Sequence, residues 1–383
     1  MKVYVFQSPE KIIYGPGALD QVGTEASAFG QRALIVTGKN SARKSGILDK
    51  LLSIVKSSGM QVAVFDEVSS DPDIETVERG VDAARRAKSQ VIVALGGGSA
   101  LDAAKGISMM LTNPGTLTDY ERKAPLLAGV PVIGVPTTAG TGSEVTRYIV
   151  ITDSGRKVKM LIGSPHLVPK VAVLDPLLTV TMPPGVTATT GMDALTHAIE
   201  AYISTAAQPA TDLQALSAIK LITGSLAEAI VNGGNLNARS CMLLGQMQAG
   251  LAFSNSSVAL VHAMARPLGA HLGVAHGLAN ALLLPPVMEY NRTSCQERLT
   301  DVAAAMGERV EGLSSGEAST HAVKAIKELF NKTGLPETLS EIGVSEEIIP
   351  LLARDASQSG SVLFNPRRPT EEEIIQIYRQ AMG

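Results

Sequence analysis

The regular alternation of short apolar runs with helical segments in the first half of the chain limits most strongly what it can fold into. The predicted strands and helices cover residues 33–37, 41–57, 62–65, 74–87, 90–95 and 131–135, with a further helix after the GGGS sequence. Because the strand segments are continuously apolar, we expect them to be buried on both faces, as in a parallel sheet covered by helices on each side. This half therefore predicts an α/β domain.

The second half of the chain has a different character. From about Thr187 the periodicity is helical and β-branched runs nearly vanish, and the sequence MPPG at residues 182–185 marks the change. Proline and glycine commonly separate structural elements, and 383 residues are many for one domain. We therefore expect an α/β domain over residues 1–183 and an all-α domain over residues 184–383.

Composition excludes several classes of function. The net charge is −3, aromatic residues make up 3% and tryptophan is absent, so binding to nucleic acid or to an anionic membrane surface is not expected. Two cysteines, Cys241 and Cys295, give no disulfide framework and favour a reducing compartment. The sequence has no signal-peptide pattern and no apolar run long enough to span a membrane. We expect a cytoplasmic protein.

A glycine-rich segment follows the predicted strand 90–95. Gly96, Gly97, Gly98 and Ser99 stand between this strand and a helix, and Asp102 lies in the first turn of that helix. Glycines let the backbone approach a ligand closely, and a helix N-terminus favours a pyrophosphate. The spacing is not G-x-G-x-x-G, so the usual dinucleotide fingerprint does not apply. The alternative is a tight turn that needs glycine for its geometry.

A second loop of similar type, PTTAGTGSEVT, follows the predicted strand 131–135. It offers hydroxyl groups on Thr137, Thr138, Thr141 and Ser143. Taken alone it could be a turn with a helix N-cap. Two such loops after successive strands of one sheet favour a shared cofactor site.

Acidic and imidazole side chains with metal-ligand character cluster in the second half. Asp193 and His197 are spaced i, i+4, which places them on one face of a helix, and His262 and His276 follow in apolar helical sequence. Each histidine taken singly could be a buried core residue. Together, one carboxylate and three imidazoles suit Fe(II), Zn(II), Co(II) or Mn(II), and a metal so held can act as a Lewis acid on a substrate oxygen.

The whole chain resembles the iron-containing (group III) alcohol dehydrogenases. The resemblance rests on an ordered series of segments: FQSPEKIIYGPGAL, GGGSALDAAK, PTTAGTGSEVT, VLDPLL, TGMDALTHAIEAY, VHAMARPLGA, AHGLANALLLP and a final NPR. It implies a Rossmann-like N-terminal domain, an all-helical metal-binding domain and interconversion of an alcohol with an aldehyde or ketone. It also implies a homo-oligomer acting on a small molecule.

The resemblance assigns roles to individual residues. It implies a divalent metal, Fe(II) first and Zn(II) as the alternative, bound by Asp193, His197, His262 and His276. It implies that Phe253 shapes the pocket near nicotinamide and substrate, although simple core packing is the alternative. The implied NAD(P) site uses Gly97, Gly98, Ser99, Thr138, Thr141 and Lys159.

The chain departs from the family pattern after the predicted strand 33–37. Family members often carry an acidic residue there, which binds the adenosine ribose and repels a 2′-phosphate. This chain has Gly38 instead, followed by Lys39, Asn40, Ser41 and Arg43, and we assign Gly38, Asn40 and Ser41 to the cofactor site. We expect NADP(H) to be tolerated and even preferred, the alternative being that Gly38 only serves the turn and NAD is the cofactor.

A second departure is Arg266, one helical turn after His262. Many family members have a histidine there that is a candidate for relaying the substrate proton. Arginine keeps its proton, so the relay would run through His271 and water, or through water alone. Arg266 could favour an acidic substrate, or it could be a structural residue paired with a nearby carboxylate.

Two rival functions use the same architecture. A dehydroquinate-synthase-like lyase also joins an NAD-binding domain to a helical metal domain, but would need more basic groups than VHAMARPLGAHLGVAHG supplies. A non-catalytic nucleotide-binding protein would have no need for the four candidate metal ligands. We therefore expect an alcohol dehydrogenase.

Overall fold

The computed structural model describes residues 3–121, 127–156 and 158–383. The chain divides into two compact units. The first, over residues 7–181, is an α/β unit; the second contains residues 182–383 together with the N-terminal segment up to Phe6 and is helical.

A six-stranded parallel sheet forms the centre of the α/β unit. Its strands are β1 Lys11–Tyr14, β2 Arg32–Gly38, β3 Gln61–Val68, β4 Val91–Gly96, β5 Val132–Pro136 and β8 Val171–Leu174. They lie side by side in the order β1-β8-β5-β4-β2-β3. Two further strands, β6 Tyr148–Asp153 and β7 Val158–Gly163, pair antiparallel in a separate ribbon. The helices of this unit are α1 Val22–Ser27, α2 Ser41–Lys44, α3 Ile47–Ser57, α4 Ile74–Ala87 and α5 Gly98–Met110.

The sheet is buried on both faces, as its continuous apolar runs predict. Leu34 and Val36 of β2 belong to the core on one face, together with residues of α4 and α5. Ile35 of the same strand belongs to the core on the other face, together with residues of α1 and α3. Successive side chains of β2 therefore enter two separate cores, which requires apolar residues at its middle positions.

The four predicted strands and the helix over 74–87 are confirmed, and the predicted helix over 41–57 is wrong in one respect. It is two helices, α2 and α3, separated at Ser45 and Gly46. Gly46 has φ +75°, a left-handed conformation that interrupts the helix and that glycine adopts without strain. The strands β1, β6, β7 and β8 were not predicted.

Nine α-helices build the second unit within its described residues. They are α6 Pro184–Ile203, α7 Pro209–Val231, α8 Leu236–Asn255, α9 Leu260–Leu272, α10 His276–Asn291, α11 Gln296–Ala305, α12 Ser315–Asn331, α13 Ile349–Ser357 and α14 Glu371–Met382. Helix α6 starts with Pro184 at its first turn, where a missing N–H costs nothing. It is buried along most of its length, so α6 is the central helix of this unit.

Among the described helices, α7 alone is long and apolar enough to cross a membrane on length and composition. Core helices of water-soluble proteins pass the same test. Ala215, Ile219 and Ile222 form its buried side, and α7 packs against α6 and α8.

Candidate active site

Three side chains with metal-binding or metal-supporting chemistry lie on α6. Asp193, His197 and Glu200 are spaced by four and three residues, which places them on one face of the helix. All three are buried, with Glu200 fully inaccessible to solvent. Carboxylates and imidazoles are seldom buried without partners, so this face of α6 points at a polar site inside the helical unit.

Helices α9 and α10 bring two more histidines to this face. His262 lies near the start of α9 and His276 is the first residue of α10. Next to His276, a Cβ atom on Gly277 would lie 2.5 Å from the backbone oxygen of Thr189 in α6. Glycine at this position therefore permits the close approach of α10 to α6 that places His276 beside Asp193.

The donor atoms converge at distances suited to one ion. Oδ1 of Asp193 lies 3.8 Å from Nε2 of His262 and 3.7 Å from Nε2 of His276. One donor atom from each of these residues lies within 4.8 Å of the others. Two donors bound to one transition-metal ion at about 2.1 Å each are at most about 4.2 Å apart. Small side-chain adjustments therefore suffice for all three to bind one ion.

Asn280 marks the point where these donors meet. Its Nδ2 lies 2.6 Å from Oδ1 of Asp193, 3.2 Å from Nε2 of His262 and 3.1 Å from Nε2 of His276. Because a carboxylate oxygen and two imidazole nitrogens lie around one nitrogen atom, they converge on one place, which is also what a cation requires. The residues present therefore fit a divalent metal. Asn280 was not predicted as a site residue from the sequence, although it lies one turn after His276.

Glu200 fixes the tautomer of His262. Its Oε2 lies 2.6 Å from Nδ1 of His262 and also accepts a hydrogen bond from the backbone N–H of Ala259. Burial raises the pKa of Glu200 to about 7, although the backbone hydrogen bonds oppose this shift. With its proton on Nδ1, His262 presents the lone pair of Nε2 to the site, as in the carboxylate–histidine pairs that orient metal ligands.

His197 lies beside the other three donors. Its Nδ1 is 4.0 Å from Oδ1 of Asp193, and its ring stacks on that of His262 with centroids 4.5 Å apart. Phe253 of α8 stacks on the opposite side, at 4.3 Å between ring centroids. The imidazole is thus held between two rings, and the contact made by Phe253 in the helical unit is with this histidine.

Burial holds the pKa of His262 well below its ordinary value, and the positive charges of His197 and Arg266 act in the same direction. An imidazole that stays neutral keeps its lone pair available, so the site is prepared for a cation near neutral pH.

His271, the candidate for proton transfer, and Arg266 both lie on α9. Nε2 of His271 is 2.6 Å from a carboxylate oxygen of Asp355, and its ring is about one-third exposed. It comes nine residues after His262 on α9, or about 13 Å along the helix axis. This spacing places His271 away from the candidate ligands, so a relay through His271 and water stays a prediction. Arg266 does lie next to the ligand set.

The two glycine-rich loops leave the sheet side by side. Gly96 of β4 is paired with Pro136 of β5, and the N–H of Thr137 donates to the backbone oxygen of Gly96 at 2.9 Å. A Cβ atom on Gly98 would lie 2.7 Å from Cγ2 of Thr141. The absence of a side chain at Gly98 is therefore what allows the second loop to lie against the first turn of α5.

This pair of loops has the features of a pyrophosphate site. Gly97 is the N-cap of α5, and Gly98 and Ser99 form its first turn, all partly exposed. A Cβ on Gly97 would lie 3.3 Å from the hydroxyl oxygen of Thr138. Free N–H groups at a helix N-terminus and nearby hydroxyl groups are suitable donors to phosphate oxygens. The residues here fit a dinucleotide.

Asp102 and Ser143 connect the loops to each other. Oγ of Ser143 donates to Oδ1 of Asp102 at 2.5 Å, and Oδ2 of Asp102 accepts the N–H of Val150 at 2.9 Å. Both side chains thus have protein partners, which tie α5 to the second loop and to β6. Farther along, Nζ of Lys159 lies 2.7 Å from a carboxylate oxygen of Asp71.

The loop after β2 carries the other candidate cofactor residues. Gly38 ends β2 without a left-handed backbone, and the nearest atom to a Cβ built there is the backbone oxygen of Val68 at 3.5 Å. Glycine is therefore not required at this position by the backbone or by space. Asn40 is the N-cap of α2 and Ser41 is its first residue.

Comparison with known proteins identifies the class of enzyme. The sequence profile of iron-containing alcohol dehydrogenases matches residues 9–176, and the profile of the C-terminal region of the Fe-containing alcohol dehydrogenase family matches residues 187–382. The chain belongs to the iron-containing alcohol dehydrogenase family.

Named relatives are similar over nearly their whole length. The chain is 42% identical to a 1,3-propanediol dehydrogenase of Klebsiella pneumoniae, covering 99% of each protein. It is 39% identical to a lactaldehyde reductase of Escherichia coli strain K12, covering 96% of this chain and 97% of that enzyme. The crystal structure of a 1,3-propanediol oxidoreductase superposes with a TM-score of 0.97 at 42% identity, covering 99% of this chain and 100% of the other.

These findings confirm the predicted fold class and reaction class. The chain is an iron-type alcohol dehydrogenase that interconverts alcohols and aldehydes in a metal-dependent, NAD-linked reaction. The family implies a divalent metal and NAD(H). The lyase and the non-catalytic alternatives find no support among these relatives.

Proposed function

We propose that Asp193, His197, His262 and His276 hold the divalent metal and that the helical unit also binds the substrate. The convergence of Asp193, His262 and His276 on the amide nitrogen of Asn280 is the observation that carries this assignment. The position of His197 beside Asp193, between two rings, supports it as the fourth ligand. One carboxylate with three imidazoles suits Fe(II), which we propose as the metal, with Zn(II) as the alternative.

The protein groups around the ligands would prepare the site for catalysis. A divalent ion bound there supplies Lewis acidity toward the oxygen of the alcohol or aldehyde. Glu200 holds His262 in the tautomer that presents Nε2, and Phe253 holds the ring of His197 in place. Buried, oriented ligands need little rearrangement when substrate arrives, which lowers the barrier to reaction.

We propose that the α/β unit binds the nicotinamide dinucleotide through the two adjacent loops. Gly96, Gly97, Gly98 and Ser99 would approach the pyrophosphate, with Thr138 and Thr141 as hydroxyl donors. The cofactor supplies the hydride-exchanging ring. Asp102 and Ser143 would act indirectly, since their contact fixes the relative position of the loops.

Both NADP(H) and NAD(H) are proposed as cofactors. Gly38 offers no carboxylate to repel a 2′-phosphate, and its backbone would accept a larger residue. Arg43, the nearest arginine in sequence, is paired with Asp66 at 2.5 Å, which weakens its attraction for a phosphate. The combination supports tolerance of NADP(H) rather than strong preference for it.

The substrate proton is proposed to move through water. Arg266 stays protonated at working pH, and His271 lies toward the far end of α9, where it contacts Asp355. Water is the remaining carrier in the helical unit next to His276, whose ring is 42% exposed. The substrate itself is proposed to be short, because the relatives are named for 1,3-propanediol and lactaldehyde.

We further propose a cytoplasmic homo-oligomer. Both cysteines are free thiols, which agrees with a reducing compartment. The N-terminal segment exposes adjacent apolar side chains, with Val3 89% and Val5 71% accessible, and exposed apolar surface often marks a site of subunit contact.

Anaerobic purification with metal analysis, followed by reconstitution of the metal-free protein with Fe(II) or Zn(II), tests these assignments. Turnover of short aldehydes is followed by the loss of reduced nicotinamide absorbance, with NADH and NADPH in parallel. We expect turnover only after loading, and equilibrium metal binding that is lost in Asp193→Asn. Turnover by the metal-free protein, or undiminished metal affinity in Asp193→Asn, would overturn the proposed site.

A further inference from the structure

Arg266 carries a positive charge that the described part of the protein leaves without an acidic partner. No carboxylate lies within 4.0 Å of its guanidinium, although the described residues contain many such ion pairs elsewhere. Its side-chain contact is Nη1 donating to Oγ of Ser359 at 3.1 Å. A guanidinium has five N–H donors, so most of its hydrogen-bonding capacity is not used in this contact.

The acidic side chains described near Arg266 are bound to other groups, so they do not pair with its charge. Burial lowers the pKa of Arg266, and the negative charge of Glu200 opposes this shift. Both oxygens of Glu200 are already engaged, by Nδ1 of His262 and by backbone N–H groups. Asp355, close to Ser359 in sequence, is bound to His271. A partly buried cation without a counter-charge is costly unless a ligand supplies one.

Arg266 also lies where a substrate would reach it. It follows His262 by one turn of α9, a rise of about 6 Å, and so lies on the same side of the helix. The side chain is partly exposed, so it is accessible to a bound molecule. A short molecule could therefore place its reacting oxygen at the ligand cluster and its other end at Arg266.

We propose that Arg266 and Ser359 form a subsite for an anionic group, so that the preferred substrates are short aldehydes or alcohols bearing a carboxylate or a sulfonate. This inference rests on the proposed function, since it assumes that the reacting oxygen binds at Asp193, His262 and His276. The guanidinium would bind the anion through two parallel N–H bonds, with the serine hydroxyl as a third donor. The contact is the same in the ground state and the transition state, so it lowers KM more than it raises kcat.

Three matched aldehydes test the charge preference directly: succinic semialdehyde, butanal and 4-trimethylammoniobutanal, each with the metal-reconstituted enzyme and NADH. We expect kcat/KM for the anionic aldehyde to exceed that for butanal by about tenfold or more, and the cationic one to be the poorest. In Arg266→Gln the anionic-to-neutral ratio should fall by about tenfold, mainly through KM, and Arg266→Lys should lose part of it. Arg354→Gln, which removes an exposed arginine of α13, should leave the ratio unchanged.

A binding measurement on the unmodified enzyme keeps the test independent of variant folding. Butyrate should inhibit butanal reduction competitively at lower concentrations than butyramide, which has the same shape without the charge. An anionic-to-neutral ratio that Arg266→Gln does not change, or equal inhibition by the two compounds, overturns the anionic subsite. If butanal is reduced normally in those experiments, the proposed function stands and only this inference is lost. If no aldehyde is reduced after metal loading, the proposed function itself fails.

Discussion

Nδ1 of His262 lies 2.6 Å from Oε2 of Glu200, and both side chains are buried in the helical unit. This contact determines which nitrogen of His262 faces the other candidate ligands. The carboxylate in turn is held by backbone N–H groups of Ala259 and Val261 at the start of α9. Helix position, tautomer and ligand orientation are therefore set by one acidic residue.

Replacing Glu200 by Gln should weaken metal binding by about 10- to 100-fold, the usual effect of losing such a supporting group. Glutamine has one acceptor oxygen where glutamate has two, so its NH₂ would face an N–H donor of His262 or of the backbone at the start of α9, and the orientation of His262 would be weakened. Equilibrium competition with a metal chelator measures the affinity. Glu297→Gln, an exposed residue of α11, is the matched control. Equal affinities in the two variants would show that the contact does not support the ligand.

Gly277→Ala should destabilise the helical unit and displace His276. The new Cβ would meet the backbone oxygen of Thr189 at 2.5 Å, so α10 must move away from α6. We expect a loss of about 1–3 kcal/mol in the free energy of unfolding, typical of overpacking, together with weaker metal binding. Denaturant titration and metal competition report the two effects.

The control for that experiment is Gly224→Ala on α7, where nothing lies within 4 Å of the added atom. Alanine there should stabilise the helix slightly, by about 0.5–1 kcal/mol. If Gly277→Ala behaved like Gly224→Ala, close approach at Thr189 would not be what positions His276.

Gly98→Ala should weaken NADH binding at the first turn of α5. Its Cβ would lie 2.7 Å from Cγ2 of Thr141, so the second loop would be pushed from its place. NADH fluorescence titration measures the dissociation constant, which we expect to rise by about tenfold. Thr141→Ser removes the clashing methyl group and keeps the hydroxyl, so the double variant should recover part of the affinity. Failure of this rescue would argue against the steric explanation.

Gly38→Asp should make the enzyme discriminate against NADPH in favour of NADH. A carboxylate at the end of β2 would repel a 2′-phosphate, so kcat/KM for NADPH should fall by about tenfold or more relative to that for NADH. Gly38→Ala adds a side chain without charge and should keep the original ratio. A wild-type enzyme that already excludes NADPH would contradict the proposal of dual use.

Much of the α/β fold could be predicted from the sequence, because strands that are buried on both faces have continuous runs of apolar residues. The central strands β2, β4 and β5 are apolar over their middle positions, and the glycine-rich loops follow β4 and β5 directly. The side of the sheet formed by β1 and β8, and the separate ribbon, were harder to predict. Strands β1 and β8 have four residues each, and β6 and β7 alternate exposed and buried side chains in a ribbon outside the main sheet.

The sequence points to the four candidate metal ligands but not to the residues that support them in the structure. Asp193 and His197 are recognisable because an i, i+4 pair shares a helix face. Glu200 and Asn280 lie equally close in sequence to a ligand, but a single glutamate or asparagine on a helix usually faces solvent. Their burial depends on how α6, α9 and α10 pack, which the sequence does not show directly. The pattern that could have identified them is a polar residue three or four positions from a ligand, inside an otherwise apolar helical segment.

The donor atoms of Asp193, His262 and His276 come from three separate helices, α6, α9 and α10. An ion bound by all three would cross-link parts of the chain that are distant in sequence, and it would bind only once those helices have assembled. Ligands that bind only the folded state shift the folding equilibrium in proportion to the logarithm of their concentration. Metal supply would therefore govern how long the helical half of the polypeptide survives in the cell, as well as how fast the enzyme works.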